Sequence, residues 1–203
     1  MMRNSQYDKQ FFYGICPSDI KKTGIKGWKY METSEQIGGY GVKHVPERHV
    51  VLVEPEIHWN TGNIGRTCLG AGAFLHLVKP LGFSLDSSKV KRAGLDYWDF
   101  VKLSVWENFA EFENTLAPQP GEMAFFAKLG RRSLWELPRP ERLFLVFGSE
   151  TVGLDAAILE NRNDHVYHIP VSRQIRSLNL STAVGIALYE SLRETGFSHS
   201  WGI

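Results

Sequence analysis

Cysteine is scarce in this chain: Cys16 and Cys68 are the only two among 203 residues. Two lone thiols supply neither a disulfide framework nor a zinc ligand set. No apolar stretch is long enough to span a bilayer. The first residues are polar and lack the apolar core of a secretion signal. These absences set the expectation of a cytoplasmic protein that needs no membrane and no metal. A large net charge is also missing, since the formal value is +1. Neither Gly-x-Gly-x-x-Gly nor a glycine-rich loop ending in Gly-Lys-Ser/Thr is present, which excludes the dinucleotide fingerprint and the P-loop. Internal repeats and low-complexity tracts are absent too.

What remains is the composition of an ordinary globular chain, 43% hydrophobic and 22% charged, long enough for one core-forming domain and an appendage. The charge is unevenly placed. Residues Met1 to Arg48 hold 8 Lys/Arg and 5 Asp/Glu, and the remainder holds 15 and 17. Residues 1–48 therefore read as a basic, glycine- and aromatic-containing extension, and residues 49–203 as the main domain. In the extension, Trp28 and Tyr30 interleave with Lys26 and Lys29. That mix suits stacking of bases and pairing of phosphates. It equally suits a tail whose aromatics pack on the main domain.

From His49 onward, short apolar runs alternate with helical patterns. Val50–Val53, Phe74–Val78, Val101–Val105, Met123–Ala127, Leu143–Phe147 and Val166–Ile169 read as strands. Helices are expected after the first strand, over Glu107–Leu116, over Asp155–Glu160, and from about Leu180 to Arg193. The last would place Leu180, Val184, Leu188 and Leu192 on one face. Strands alternating with helices imply an α/β fold with a mostly parallel sheet and helices on both faces.

Three polar segments lie beside these strands. The first is Asn60-Thr61-Gly62-Asn63-Ile64-Gly65-Arg66. Asn60 or Thr61 suits a helix cap, and Asn63 and Arg66 share a helix face. A cation in the first turn or two gains nothing from the helix dipole. Arg66 is then either a phosphate or carboxylate holder or a surface partner of Glu54 or Glu56. The second segment is Gly148-Ser149-Glu150-Thr151-Val152-Gly153-Leu154, directly after the most apolar strand. It reads either as a turn that lets backbone approach a ligand or as a plain left-handed turn with an exposed Glu150. The third follows Pro170, with Arg173, Gln174 and Arg176 leading to Ser177-Leu178-Asn179-Leu180-Ser181 at a helix start. These side chains suit a polar ligand or an ordinary cap.

As an ordered trio, Asn-Thr-Gly-Asn-Ile-x-Arg, Gly-x-Glu-x-x-Gly-Leu and Ser-x-Asn-Leu-Ser resemble the motifs of the SPOUT RNA methyltransferases, and within them the SpoU-type 2′-O-ribose methyltransferases. Val51–Ile57 and Arg92–Trp98 are further similar to the TrmL branch, which methylates the wobble ribose of certain tRNAs. The resemblance runs from about His49 to Thr195. It implies a SPOUT fold closed by a C-terminal deep trefoil knot, an exception to the usual absence of knots. It also implies S-adenosylmethionine as cofactor, tRNA as partner, and a homodimer formed near the knot, with Tyr189 and Glu190 in the interface region.

Carried onto this chain, the cofactor pocket would include Phe126, Gly148, Ile169, Ser177 and Leu178. Arg66 would contact RNA phosphate and assist proton removal, with Asn63, Glu150, Ser177 and Asn179 orienting Arg66 or the ribose. Arg176, Lys26 and Lys29 would add RNA contacts. A guanidinium is protonated near neutral pH, so phosphate positioning ranks above a base role for Arg66. Two departures stand out. His58-Trp59 replaces a pair of prolines common in close relatives, and residues 1–48 have no counterpart in minimal members. The readings that follow are a tRNA wobble 2′-O-methyltransferase, the same chemistry on ribosomal RNA or another tRNA position, and a non-catalytic RNA-binding protein of the same fold.

Overall fold

Buried apolar runs form most strands of one seven-stranded sheet in the computed structural model, which describes residues 46–85 and 97–193. In chain order the elements are β1 (Glu47–Val53), α1 (His58–Gly70), β2 (Phe74–Val78), a 3-10 turn (Trp98–Phe100), β3 (Lys102–Trp106), α2 (Phe109–Leu116), β4 (Met123–Phe126), β5 (Arg132–Ser133), a 3-10 turn (Leu134–Glu136), β6 (Arg142–Phe147), α3 (Ala156–Leu159), a 3-10 turn (Asn163–His165), β7 (Val166–His168) and α4 (Leu180–Leu192). The strand order is β3-β2-β1-β6-β4-β7-β5, and each of these pairings is parallel.

A parallel sheet has to be covered on both faces, and the pleat sorts its side chains accordingly. Val50, Leu52, Leu75, Leu77, Leu143 and Leu145 join Ile64 and Cys68 of α1 and Val184, Leu188 and Leu192 of α4. Val51, Val53, Val78, Phe144 and Val146 point the other way, onto Phe112 and Leu116 of α2, with Ile158 and Leu159 of α3 packed alongside. The expected α/β architecture with helices on both faces is what forms.

Three differences from the sequence reading have physical causes. β5 is two polar residues held by pairing to Tyr167 and His168, so no apolar run marks it. β3 starts one residue later than expected, and α2 starts at Phe109 because Asn108 caps it by accepting from the Glu111 N–H at 2.8 Å. β1 starts at Glu47, two residues ahead of the boundary read from composition. Arg48 is 2% exposed, and its guanidinium donates to the carbonyls of Ser191 (3.0 Å), Glu47 (3.0 Å), Pro140 (3.1 Å) and Glu141 (3.3 Å). Ser191 lies in the last turn of α4, where a cation complements the helix dipole. Burial lowers the Arg48 pKa to about 10, with Glu141 opposing the shift.

The second face also buries a polar chain. The Trp106 indole donates to His76 Nδ1 at 3.2 Å, His76 Nε2 lies 2.8 Å from His49 Nδ1, and His49 Nε2 lies 2.7 Å from Glu47 Oε1. An indole N–H only donates, so each neutral imidazole carries its proton on Nε2 and passes a hydrogen bond on towards Glu47. Burial holds both histidines below their ordinary pKa.

Candidate active site at the carboxyl edge of the sheet

Parallel strands place their carboxyl ends on one edge. β1 leads outward to β2 and β3, while its other neighbour, β6, belongs to the second half of the sheet. The crevice outside β1 and β6 is therefore the switch point at which open α/β sheets bind ligands. The three polar segments follow β1, β6 and β7, so all three open at this edge.

The Gly148–Leu154 segment owes its pattern to a loop that folds back on itself. Ser149 and Gly153 exchange backbone hydrogen bonds at 3.2 and 3.0 Å. A Cβ on Gly148 would lie 2.0 Å from the Gly153 carbonyl carbon, and Gly153 has φ +85°. One glycine permits the close approach and the other the left-handed turn. Glu150 stands at the tip. It is half-buried, and its carboxylate accepts from Glu56 N–H (2.8 Å), Ile57 N–H (3.3 Å) and Asn60 Nδ2 (2.8 Å). Glu56 replies from the opposite loop, accepting from the backbone and hydroxyl of Thr151.

This explains how α1 begins. A cap from Asn60 or Thr61 was the expectation. Instead the helix starts at His58, its N-cap Ile57 offers no side-chain bond, and Asn60 and Thr61 are buried in its first turn. Glu150 supplies the negative charge and acceptors that a helix N-terminus needs, from another loop. Asn60 is the residue that sequence reasoning missed as a site component. Besides donating to Glu150, its Oδ1 accepts from Asn179 Nδ2 at 3.0 Å. Asn179 in turn caps α4, accepting from the Ser181 N–H (2.9 Å) and hydroxyl (2.7 Å). One chain of hydrogen bonds thus joins Glu150, Asn60, Asn179 and Ser181, and ties the three polar segments together.

Arg66 lies in the third turn of α1, further along than expected, so its placement does not oppose the helix dipole. Its exposed guanidinium sits 4.5 Å from the Tyr97 ring centroid and pairs with no carboxylate among the described residues. Glu56 is engaged by Thr151 rather than by Arg66. Tyr97 is anchored by donating its hydroxyl to the Gly62 carbonyl at 2.9 Å. A Cβ on Gly65 would lie 2.5 Å from the Trp98 ring, so the glycine at this position lets Trp98 pack on α1. Asn63 is exposed on α1 and makes no side-chain bond to Arg66.

The remaining sequence-derived candidates also gather at this edge. Phe126 pairs in register with Phe147 and Tyr167 and stacks on Phe147 at 4.7 Å between centroids. Gly148 follows Phe147 directly. Ile169 and Leu178 are half-buried, and Ser177 and Arg176 are exposed on the loop into α4. Lys26 and Lys29 lie outside the described residues. Phe126 and Phe147 form an apolar floor. The 169–178 loop beside it has one backbone–backbone bond besides those of the strands, Ile175 N–H to the Ser172 carbonyl, which leaves donors and acceptors for a ligand. A flat adenosine with polar edges fits that donor set. Among the described residues no group of three or more His, Cys, Asp or Glu stands together, and no helix is long and apolar enough to cross a membrane.

The pattern described as the SpoU rRNA Methylase family matches residues 47–189. A Listeria monocytogenes protein, provisionally named tRNA (cytidine(34)-2′-O)-methyltransferase, is 45% identical over 152 residues, covering 73% of this chain and 89% of its own length. The tRNA (cytidine(34)-2′-O)-methyltransferase of Burkholderia ambifaria is 41% identical over 150 residues, covering 73% and 96%. A solved structure concerned with 2-OH methylation of C/U34 on tRNA superposes with a TM-score of 0.64 at 43% identity, covering 73% of this chain and 95% of that one. The chain belongs to the SpoU rRNA Methylase family.

Proposed function

We propose that this protein transfers a methyl group from S-adenosylmethionine to the 2′-hydroxyl of the wobble nucleotide, position 34, of tRNA. The observation that carries the reading is the hydrogen-bond chain Glu150–Asn60–Asn179, which assembles the three motif segments at the switch edge. The names of relatives above 40% identity supply the substrate class.

The cofactor fits the apolar floor of Phe126 with Gly148, Ile169, Ser177 and Leu178 around it. It supplies an electrophilic methyl on a sulfonium, a leaving group that needs no proton donor. The protein's own task is then positioning. A ribose hydroxyl is a poor nucleophile, and holding it in line with the methyl lowers the barrier. Arg66, held by Tyr97, grips an RNA phosphate next to the target ribose. Glu150 and Asn179 are positioning residues: through Asn60 they set the first turn of α1, and so the helix that carries Arg66. Arg176 adds a phosphate contact from the opposite loop. Lys26 and Lys29 extend the phosphate track along the rest of the tRNA.

The same reading includes the trefoil knot of the family, a cytoplasmic location, and a homodimer through α4. Tyr189 is half-exposed there, beside the end of α1. The test is transfer of labelled methyl from S-adenosylmethionine to tRNA and, separately, to ribosomal RNA. Label in tRNA supports the reading, and label confined to ribosomal RNA moves the substrate while keeping the chemistry.

A further inference from the structure

α1 presents one more exposed group on the face that carries Arg66. Trp59, Asn63 and Arg66 are spaced at i, i+4 and i+7, which places them on one side of the helix. All three are exposed, Trp59 at 59%. More than half of Trp59 is open to solvent. Here it is also oriented. The His58 ring lies 4.4 Å from the Trp59 ring, and the Phe83 ring 6.4 Å from His58. Phe83, His58 and Trp59 therefore form a row of rings that ends in an open indole. Exposed Ile57, two residues before Trp59, adds apolar surface. Glu150 and Glu56 accept their hydrogen bonds from α1 and from Thr151, and among the described residues neither pairs with Arg66, whose guanidinium is left open on this face. Trp59 and Arg66 are about 10 Å apart along the helix axis, a span that adjacent nucleotides of an unstacked strand cover.

We propose that Trp59 is a stacking platform for an unpaired nucleobase next to the nucleotide whose phosphate Arg66 holds. This rests on the proposed RNA substrate and adds an RNA-positioning residue to it. An aromatic face takes any base without reading its edges, and a neighbouring cation fixes the backbone. The row of rings behind Trp59 limits its rotation and pre-orders the platform before RNA arrives.

The experiment pairs two changes: Trp59→Ala in the protein, and an abasic site at the nucleotide on either side of position 34 in an anticodon stem-loop RNA. Affinity is read by anisotropy of labelled RNA, and methyl transfer is read in parallel. The expected result is that Trp59→Ala weakens RNA binding by about 10-fold or more, with S-adenosylmethionine affinity and sedimentation mass unchanged and Trp59→Phe close to wild type. One of the two abasic RNAs should weaken binding to the wild-type protein by a similar factor and bind the alanine variant no worse than intact RNA does. Independent losses from the two changes, an unchanged affinity in Trp59→Ala, or a change in sedimentation mass that shows a second copy covering the indole would each overturn the proposal. If the wild-type protein binds the RNA but methylates neither tRNA nor the stem-loop, the proposed function fails while the binding cycle still decides the role of Trp59.

Discussion

At the residue scale, the site depends on side chains whose partners lie far away in sequence. Arg66 was legible from the sequence, but its orientation was not, because Tyr97 and the Gly62 carbonyl provide it. Tyr97→Ala should leave cofactor affinity unchanged and lower the rate of methyl transfer by about 10-fold, the worth of a modest cation–π contact. Arg66→Ala should lower it by about 100-fold, as the loss of a group that positions the reacting ribose does. Equal rates for both variants and wild type would remove Arg66 from the mechanism.

The buried histidines make a second residue-scale prediction. His49 and His76 are held below the ordinary value near 6.5, chiefly by burial, so both stay neutral in the fold. The unfolded chain binds more protons below that value, and stability therefore rises with pH there and is lost as the solution is acidified. Each histidine contributes a slope of at most about 1.4 kcal/mol per pH unit. The urea midpoint should fall between about pH 7 and about pH 5, and fall less in His76→Gln. A flat profile in the wild type would contradict the neutral assignment.

At the scale of elements, the strands that face two cores were readable as aliphatic runs, and α4 as an amphipathic helix with Val184, Leu188 and Leu192 inward. β5 was not, since Arg132 and Ser133 carry no apolar signal and owe their pairing to β7. The start of α1 was misplaced for a related reason. Its cap is Glu150, 90 residues on, and local pattern cannot report a partner at that distance. Asn60 was overlooked as a hub because its second partner, Asn179, is 119 residues away. The Gly148–Leu154 loop gives the sharpest element-scale test. Gly148→Ala would press a methyl into the Gly153 backbone, so the loop must open and release Glu150 from α1. Gly153→Ala meets no atom within 4 Å but forces a left-handed φ on alanine, a cost of roughly 1–2 kcal/mol. The Gly148 variant should therefore lose more cofactor and RNA binding than the Gly153 variant, measured by calorimetry. The reverse order would mean the fold-back does not organise the site.

At the scale of the whole molecule, the α/β class followed from alternation of strands and helices, but the strand order did not. Nothing local states that β6 inserts between β1 and β4, and that insertion is what brings the first and second motif segments face to face. The extension was legible only as composition. As a phosphate track it should make tRNA affinity more salt-dependent, because each phosphate neutralised releases counterions. Removing residues 1–45 leaves β1 intact and should weaken tRNA binding and flatten its salt slope. An unchanged slope would remove Lys26 and Lys29 from the interface.

The central claim is that the 2′-hydroxyl of nucleotide 34 accepts the methyl group. The most direct measurement is methyl transfer to two otherwise identical tRNAs, one with ribose and one with 2′-deoxyribose at position 34. The account predicts stoichiometric methylation of the first and none of the second. Equal methylation of both would place the accepting atom elsewhere and contradict it.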